Sequence, residues 1–193
     1  MDAPEDHSDI GPVHLAKYAA IFREAPSGPV VEFGTLDGGS ALLWLELMDP
    51  QYPLFTVDPY GDRPYFTAGH MGQPESYGDE HYVKQKVLLA RYPNHTHFKM
   101  TSHDFLRRVV GTDHWMARSV GPIGDFTFAF LDGDHAGESV LRDVLNLKPF
   151  MQKGGVILVD NVDWGDGLAQ ILAKVGPVVR HEERFIAIRV GHV

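Results

Sequence analysis

Short apolar runs punctuate this chain at intervals: Pro29–Phe33 (PVVEF), Leu54–Val57 (LFTV), His95–Met100, Asp125–Leu131 (DFTFAFL) and Val156–Val159 (VILV). Longer segments of helical character separate them: Ser40–Met48, Tyr82–Arg91, His103–Val110, Ala136–Leu147 and Gly167–Val175. Such alternation predicts a mostly parallel sheet with helices on both faces. Val178–Arg180 and Arg184–Val190 read as a closing hairpin, which makes the last strand antiparallel. The expected fold is therefore a doubly wound, seven-stranded α/β sheet. Residues 1–28 form an N-terminal helical segment, with Val13, Ala16, Ala20 and Ile21 as its apolar face.

The chain has 193 residues and no repeat or second domain, so residues 1–193 are expected to form one domain. The 23 residues Pro59–His81 hold four glycines, three prolines and four aromatics. A loop this long is expected to act as a lid, with Tyr60, Tyr65, Phe66 and Tyr77 available to stack on a ligand. Thr112–Gly124 is expected to be irregular.

Composition removes several chemistries. The net charge is −9, which opposes sequence-independent nucleic-acid binding. With no cysteine there is no disulfide, thiolate metal site, iron–sulfur cluster or Cys nucleophile. The acidic, polar first residues are not a signal peptide, and no apolar run reaches the ~18 residues that span a bilayer. The expectation is a cytoplasmic protein with neither nucleic acid nor membrane as a partner.

Three groupings carry chemistry. The first is Glu32-x-Gly34-x-x-x-Gly38-x-Ser40, at the first strand–helix junction. Its glycines allow a tight turn and close ligand approach, while an acidic strand residue can accept from an ammonium group. It lacks the Gly-x-Gly-x-x-Gly spacing and the Walker lysine, so dinucleotide and P-loop readings are weak. The second is Asp58, 24 residues beyond Gly34 at the end of the second strand, where a carboxylate can take a ribose hydroxyl pair; it also belongs to an Asp-Pro turn. The third joins Asp132-Gly133-Asp134-His135 with Asp160-Asn161, at the ends of two strands expected to be neighbours. Asp132, Asp160 and Asn161 offer three hard oxygens suited to Mg²⁺ or a similar cation. Asp-Gly and Asp-Asn are also turn formers. Ser102-His103-Asp104 reads first as a helix N-cap. His95 and His97 share a strand face and read as packing residues rather than metal ligands.

Taken together, these segments resemble the class I S-adenosylmethionine-dependent methyltransferases, from about Val30 to Val190. VVEFGTLDGGS is similar to that family's first motif. FLDGDHAGESVLRDVLNLKPFMQKGGVILVDN resembles the fourth-to-fifth-strand block of its metal-dependent small-molecule O-methyltransferases. The DGDH form is closest to the macrolide- and aminocoumarin-sugar enzymes of the macrocin type, and the Asp-Asn pair to the catechol and caffeoyl-CoA type. The resemblance implies a Rossmann-like fold and S-adenosylmethionine as cofactor. Glu32, Gly34, Gly38 and Ser40 would then line its methionine end, Asp58 its ribose and Ser102 its adenine side, with Asp132 also beside it. It further implies Asp132, Asp160 and Asn161 as ligands of Mg²⁺ or another hard divalent cation, and His135, with Asp132, as the catalytic pair. Two departures stand out. The sugar enzymes commonly carry a second acid where this chain has Asn161, and the catechol type a lysine where it has His135. The implied partner is a small-molecule hydroxyl acceptor, best a vicinal diol of a sugar or catechol-like compound; a homo-oligomer stays open. Two alternatives stay open as well: a nucleoside-binding module without turnover, and a metal-dependent hydroxylase-like relative.

Overall fold

The computed structural model describes residues 10–61, 65–66, 74–75, 78–110, 123–164 and 167–191. Its elements are α1 (Pro12–Phe22), β1 (Val30–Phe33), α2 (Gly39–Leu47), β2 (Leu54–Val57), β3 (Tyr65–Phe66), β4 (Pro74–Glu75), α3 (Asp79–Leu89), β5 (His95–Phe98) and α4 (Ser102–Arg108). They continue with β6 (Phe126–Leu131), α5 (Gly137–Leu147), β7 (Met151–Val159), α6 (Leu168–Leu172), β8 (Val178–His181) and β9 (Ile186–Arg189). Seven strands form one sheet in the order β5-β2-β1-β6-β7-β9-β8. All pairings are parallel except those of β9, which runs antiparallel to both β7 and β8. This is the doubly wound sheet expected from the sequence. β3 and β4 form a separate two-stranded ribbon that the sequence pattern did not predict. The expected lid, with Tyr65, Phe66 and Tyr77, otherwise lies outside the described residues, as does most of Thr112–Gly124.

Both sheet faces are covered, which explains the continuous apolar runs. Val30, Leu54, Phe128, Phe130, Val156 and Leu158 pack against α1, α2 and α3 through Tyr18, Ile21, Trp44 and Leu89. Val31, Phe33, Phe55, Val57, Ile157 and Val159 pack on the opposite side with Phe105, Val109, Val144 and Leu172. Trp44 anchors the first face, its ring 5.0 Å from Phe128 and 5.3 Å from Phe130, and stacked on Phe22 at 5.4 Å. No described helix is long and apolar enough to cross a membrane.

Three local expectations change. The buried face of α1 is Tyr18, Ala19 and Ile21, while Val13 is exposed. One large aromatic removes more apolar surface from water than the small side chains of the expected face, so Tyr18 sets the helix rotation. Lys153-Gly154-Gly155 is not a turn before a strand but part of β7, which starts at Met151. The pairing with β6 jumps from Met151 to Val156, so the glycines form an irregularity that the strand absorbs. α3 starts at Asp79, three residues earlier than expected, with Asp79 and Glu80 in its first turn, where acidic side chains suit the helix dipole.

Candidate active site

Backbone hydrogen bonds align the residues that follow four neighbouring strands. Asp58 N donates to Phe98 O, Gly34 N to Val57 O, Asp132 N to Phe33 O and Asp160 N to Leu131 O. These four residues therefore stand in a row at the carboxyl edge of the sheet. Strand order reverses at β1, between β2 and β6, so Gly34 and Asp132 flank the switch point, where open α/β sheets bind ligands. A small cleft opens there, lined by Phe33, Leu131, Gly133, Asp134, His135, Val140 and Asp143.

On the β1 side, Asp58 organises the glycine-rich turn. Its Oδ2 accepts from Thr35 N at 2.9 Å and Leu36 N at 3.3 Å, and its Oδ1 from Tyr60 N at 3.1 Å. The Tyr60 hydroxyl donates to Leu36 O at 2.5 Å. Leu36 (φ 44°) and Tyr60 (φ 35°) both lie in the left-handed region, a cost of about 1–3 kcal/mol each that surrounding structure must hold in place. Gly38 (φ 91°) caps α2 in the same region without that cost. Burial pushes the Asp58 carboxyl above its ordinary range, against these amide contacts.

Glu32 does not face the crevice. It is fully buried; Ser40 Oγ donates to it at 3.2 Å and Trp44 Nε1 at 2.6 Å. Burial pushes its carboxyl up to about 8. Glu32 and Ser40, expected to line the cofactor, here join β1 to α2. Gly34, Gly38 and Asp58 remain at the crevice edge. Ser102, expected on the adenine side, donates to Asp143 Oδ2 at 2.8 Å, and the α4 N-cap is Thr101. Asp143 Oδ1 and Thr35 Oγ1 are buried oxygens without a hydrogen-bond partner among the described residues. One lines the cleft and the other sits in the turn beside it.

On the β6–β7 side, His135 is nearly buried, its Nε2 3.3 Å from Asn161 Nδ2 and 3.8 Å from Asp132 Oδ1. Burial lowers its pKa, with Asp160 and Asp134 opposing. The lowered pKa favours the neutral imidazole, whose Nε2 faces the Asn161 amide. Asn161 takes a positive φ of 53°, the third non-glycine residue in that region at this edge after Leu36 and Tyr60. Asp160 is tied differently. Arg184 grips it with Nε to Oδ1 at 2.8 Å and Nη2 to Oδ2 at 2.7 Å, and the Tyr18 hydroxyl donates to Oδ1 at 2.5 Å. Tyr18 and Arg184 were not foreseen. Only their convergence from α1 and the β8–β9 turn reveals them; the one sequence hint is an arginine in the final hairpin.

The expected cation therefore meets an occupied carboxylate. Asp160 is fully buried, both its oxygens accept from the permanent cation Arg184, and Oδ1 also accepts from the Tyr18 phenol. Among the described residues no group of three His, Cys, Asp or Glu is gathered to hold a metal ion. In this arrangement the donor set does not fit a hard divalent cation.

His95 and His97 behave as expected for packing residues. Thr56 Oγ1 lies 2.8 Å from His95 Nε2 and 2.9 Å from His97 Nδ1. Burial lowers His95 to about 4 and His97 to about 3, from an ordinary 6.5. Below about pH 6.5 the unfolded chain thus binds protons that the folded chain refuses, so stability falls as pH drops toward 4. Glu32, protonated up to about pH 8 when folded, acts oppositely: its contribution declines as pH rises from about 4.5. To separate them, denaturant unfolding is compared at pH 7 and pH 5. Over that interval each histidine should cost about 2 kcal/mol, offset in part by Glu32 in the wild-type total, and His97→Gln should remove one such share from the pH dependence. An unchanged pH dependence would show that His97 titrates normally in the fold.

An open, doubly wound α/β sheet with a polar crevice at its switch point defines the structural class. The family model described as "Methyltransferase domain" matches residues 31–162, and the chain belongs to that family. Among solved structures, cofactor-bound Rv0187 from MTB aligns with a TM-score of 0.66 at 18% identity, over 95% of this chain and 82% of that one. The O-methyltransferase from Bacillus cereus, in complex with SAH, aligns with a TM-score of 0.60 at 14% identity, over 96% and 84%. No curated protein matches.

Proposed function

We propose that this methyltransferase moves a methyl group from S-adenosylmethionine to a hydroxyl oxygen of a small molecule. The observation that carries this reading is a neutral imidazole, His135, held beside Asp132 and Asn161 at the switch-point crevice of a methyltransferase fold. The cofactor-bound and SAH-bound neighbours support the same cofactor here. The residues fit it: Asp58 fixes the turn after β1, and Thr35 Oγ1 and Asp143 Oδ1 offer buried oxygens to its polar groups.

When bound, S-adenosylmethionine supplies a methyl group on a sulfonium, which leaves readily as a thioether. Gly34 and Gly38 keep the turn low so that the cofactor can lie against backbone. Asp58 Oδ1, which among the described residues accepts from Tyr60 N alone, is the acceptor for a ribose hydroxyl. The His135 imidazole takes the hydroxyl proton of the acceptor as the new O–C bond forms. Asn161 orients the ring through its contact at Nε2, and Asp132, 3.8 Å from the ring, stands close enough to stabilise the imidazolium that results. No step is routed through a metal ion, since Asp160 is committed to Arg184. The acceptor stays a small hydroxylated compound of sugar or catechol type.

Calorimetry with S-adenosylhomocysteine tests the cofactor half. Wild type should bind it. Asp58→Ala should weaken binding about 10- to 150-fold, the loss of a charge-assisted bond of about 1.5–3 kcal/mol. Unchanged affinity in a folded variant would remove Asp58 from the ribose site. Failure of wild type to bind would overturn the reading.

A further inference from the structure

We propose that the Arg184 guanidinium takes the place of the expected divalent cation at Asp160, as a resident positive charge of the site. Four observations converge. Arg184 holds Asp160 through two parallel hydrogen bonds, at 2.8 and 2.7 Å, the fork geometry in which arginine matches a carboxylate best. Asp160 is completely buried and Arg184 about one quarter exposed, so the pair sits at the crevice wall rather than in bulk water. Asp160 dominates the attraction on Arg184, and Asp132, the other carboxylate a cation would need, adds to it. The Tyr18 hydroxyl fills the remaining direction at Oδ1. A divalent ion would find only the second lone pair of Oδ2 at Asp160, beside a bidentate, partly desolvated arginine whose charge opposes it.

The neighbourhood is braced around this pair. Tyr18 packs edge-on against Phe185 at 5.1 Å, next to Arg184 in sequence. Lys17 pairs with Glu182, so α1 and the β8–β9 turn close over Asp160 from two sides. Arg184 Nη1 makes no hydrogen bond among the described residues. Its N–H groups are available to an oxygen of the acceptor, which is the use that rests on the methyltransferase reading. Whether a cation binds does not depend on that reading.

Mn²⁺ titration followed by electron paramagnetic resonance tests the proposal, with and without S-adenosylhomocysteine. Wild type should show no saturable Mn²⁺ binding. Arg184→Ala frees Asp160 beside Asp132 and Asn161, and should bind Mn²⁺ at least about 30-fold more tightly, because a like charge a few ångströms away has been removed. Adding Asp160→Asn should abolish that gain, and Arg184→Lys, which keeps the charge, should not show it. If Arg184→Ala does not fold, Arg184→Gln is read in the same way. Saturable, Asp160-dependent Mn²⁺ binding by wild type would overturn the proposal. So would an Arg184→Ala protein, or Arg184→Gln in its place, that binds no more tightly than wild type. Loss of S-adenosylhomocysteine binding by wild type in the same titration would sink the cofactor reading and leave the ion result standing.

Discussion

Replacing Gly34 with alanine should leave little folded protein at 25 °C. Gly34 sits at φ 84°, and an added Cβ would lie 2.1 Å from Asp132 O, 2.5 Å from Asp132 C and 2.7 Å from Gly133 Cα. All three atoms are backbone, so no side chain can swing aside. Neither strand end can retreat, because Gly34 N is bonded to Val57 O and Asp132 N to Phe33 O. The left-handed backbone adds its own penalty. The sum should exceed about 4 kcal/mol, a large share of the roughly 5–15 kcal/mol available to a domain. Gly137→Ala is the control: its Cβ meets nothing within 4 Å and it opens α5. That change should be neutral or stabilising by about 0.5 kcal/mol. Circular dichroism and denaturant midpoints read both. A Gly34→Ala protein within 1 kcal/mol of wild type, read from the same midpoints on the roughly 1 kcal/mol scale of ordinary substitutions, would show that the turn and β6 are not in close contact.

His135→Gln should slow methyl transfer by about 10²–10⁴-fold, the usual contribution of a positioned general base. Glutamine keeps a hydrogen-bonding group toward Asn161 but cannot accept the proton. The pH profile separates this role from a merely structural one. In wild type burial lowers the His135 pKa, so the base stays unprotonated and the rate holds as pH falls toward the ordinary histidine range. In the variant the hydroxyl must ionise by itself, so the deficit should be greatest at low pH and shrink as pH rises. S-adenosylhomocysteine affinity should change little. A variant with an equal deficit at every pH would assign His135 to packing rather than proton transfer.

The layout of the sheet was legible because its strands are buried on both faces and each ends at a residue of distinct chemistry: Gly34, Asp58, Asp132 and Asp160. The partners of those residues were not legible. Glu32 sits where a ligand contact was expected, yet strand alternation turns it toward α2, where Trp44 and Ser40 meet it. Val31 and Phe33 point the other way. A period-two count marks that face, but it does not say which face a ligand uses. Asp160 and Asn161 are adjacent in sequence and part company in space. One turns to Tyr18 and Arg184; the other, at positive φ, turns to His135. Tyr18 looked like one aromatic in a small-residue helix, and Arg184 like a surface charge in a hairpin. Their meeting depends on strand order, which no local pattern encodes.

The contact between Tyr18 and Asp160 joins positions 142 apart, and Arg184 follows Asp160 by 24 more. During synthesis, α1 leaves the ribosome long before either partner exists. Until Asp160 emerges the Tyr18 phenol has no carboxylate to meet, and until the closing hairpin follows that carboxylate has no guanidinium to bury it. A nascent chain can thus form much of its sheet while its crevice stays chemically incomplete. A messenger truncated before codon 184 would yield a protein retaining Asp132, His135 and Asn161, with Asp160 as an unpaired charge at their side.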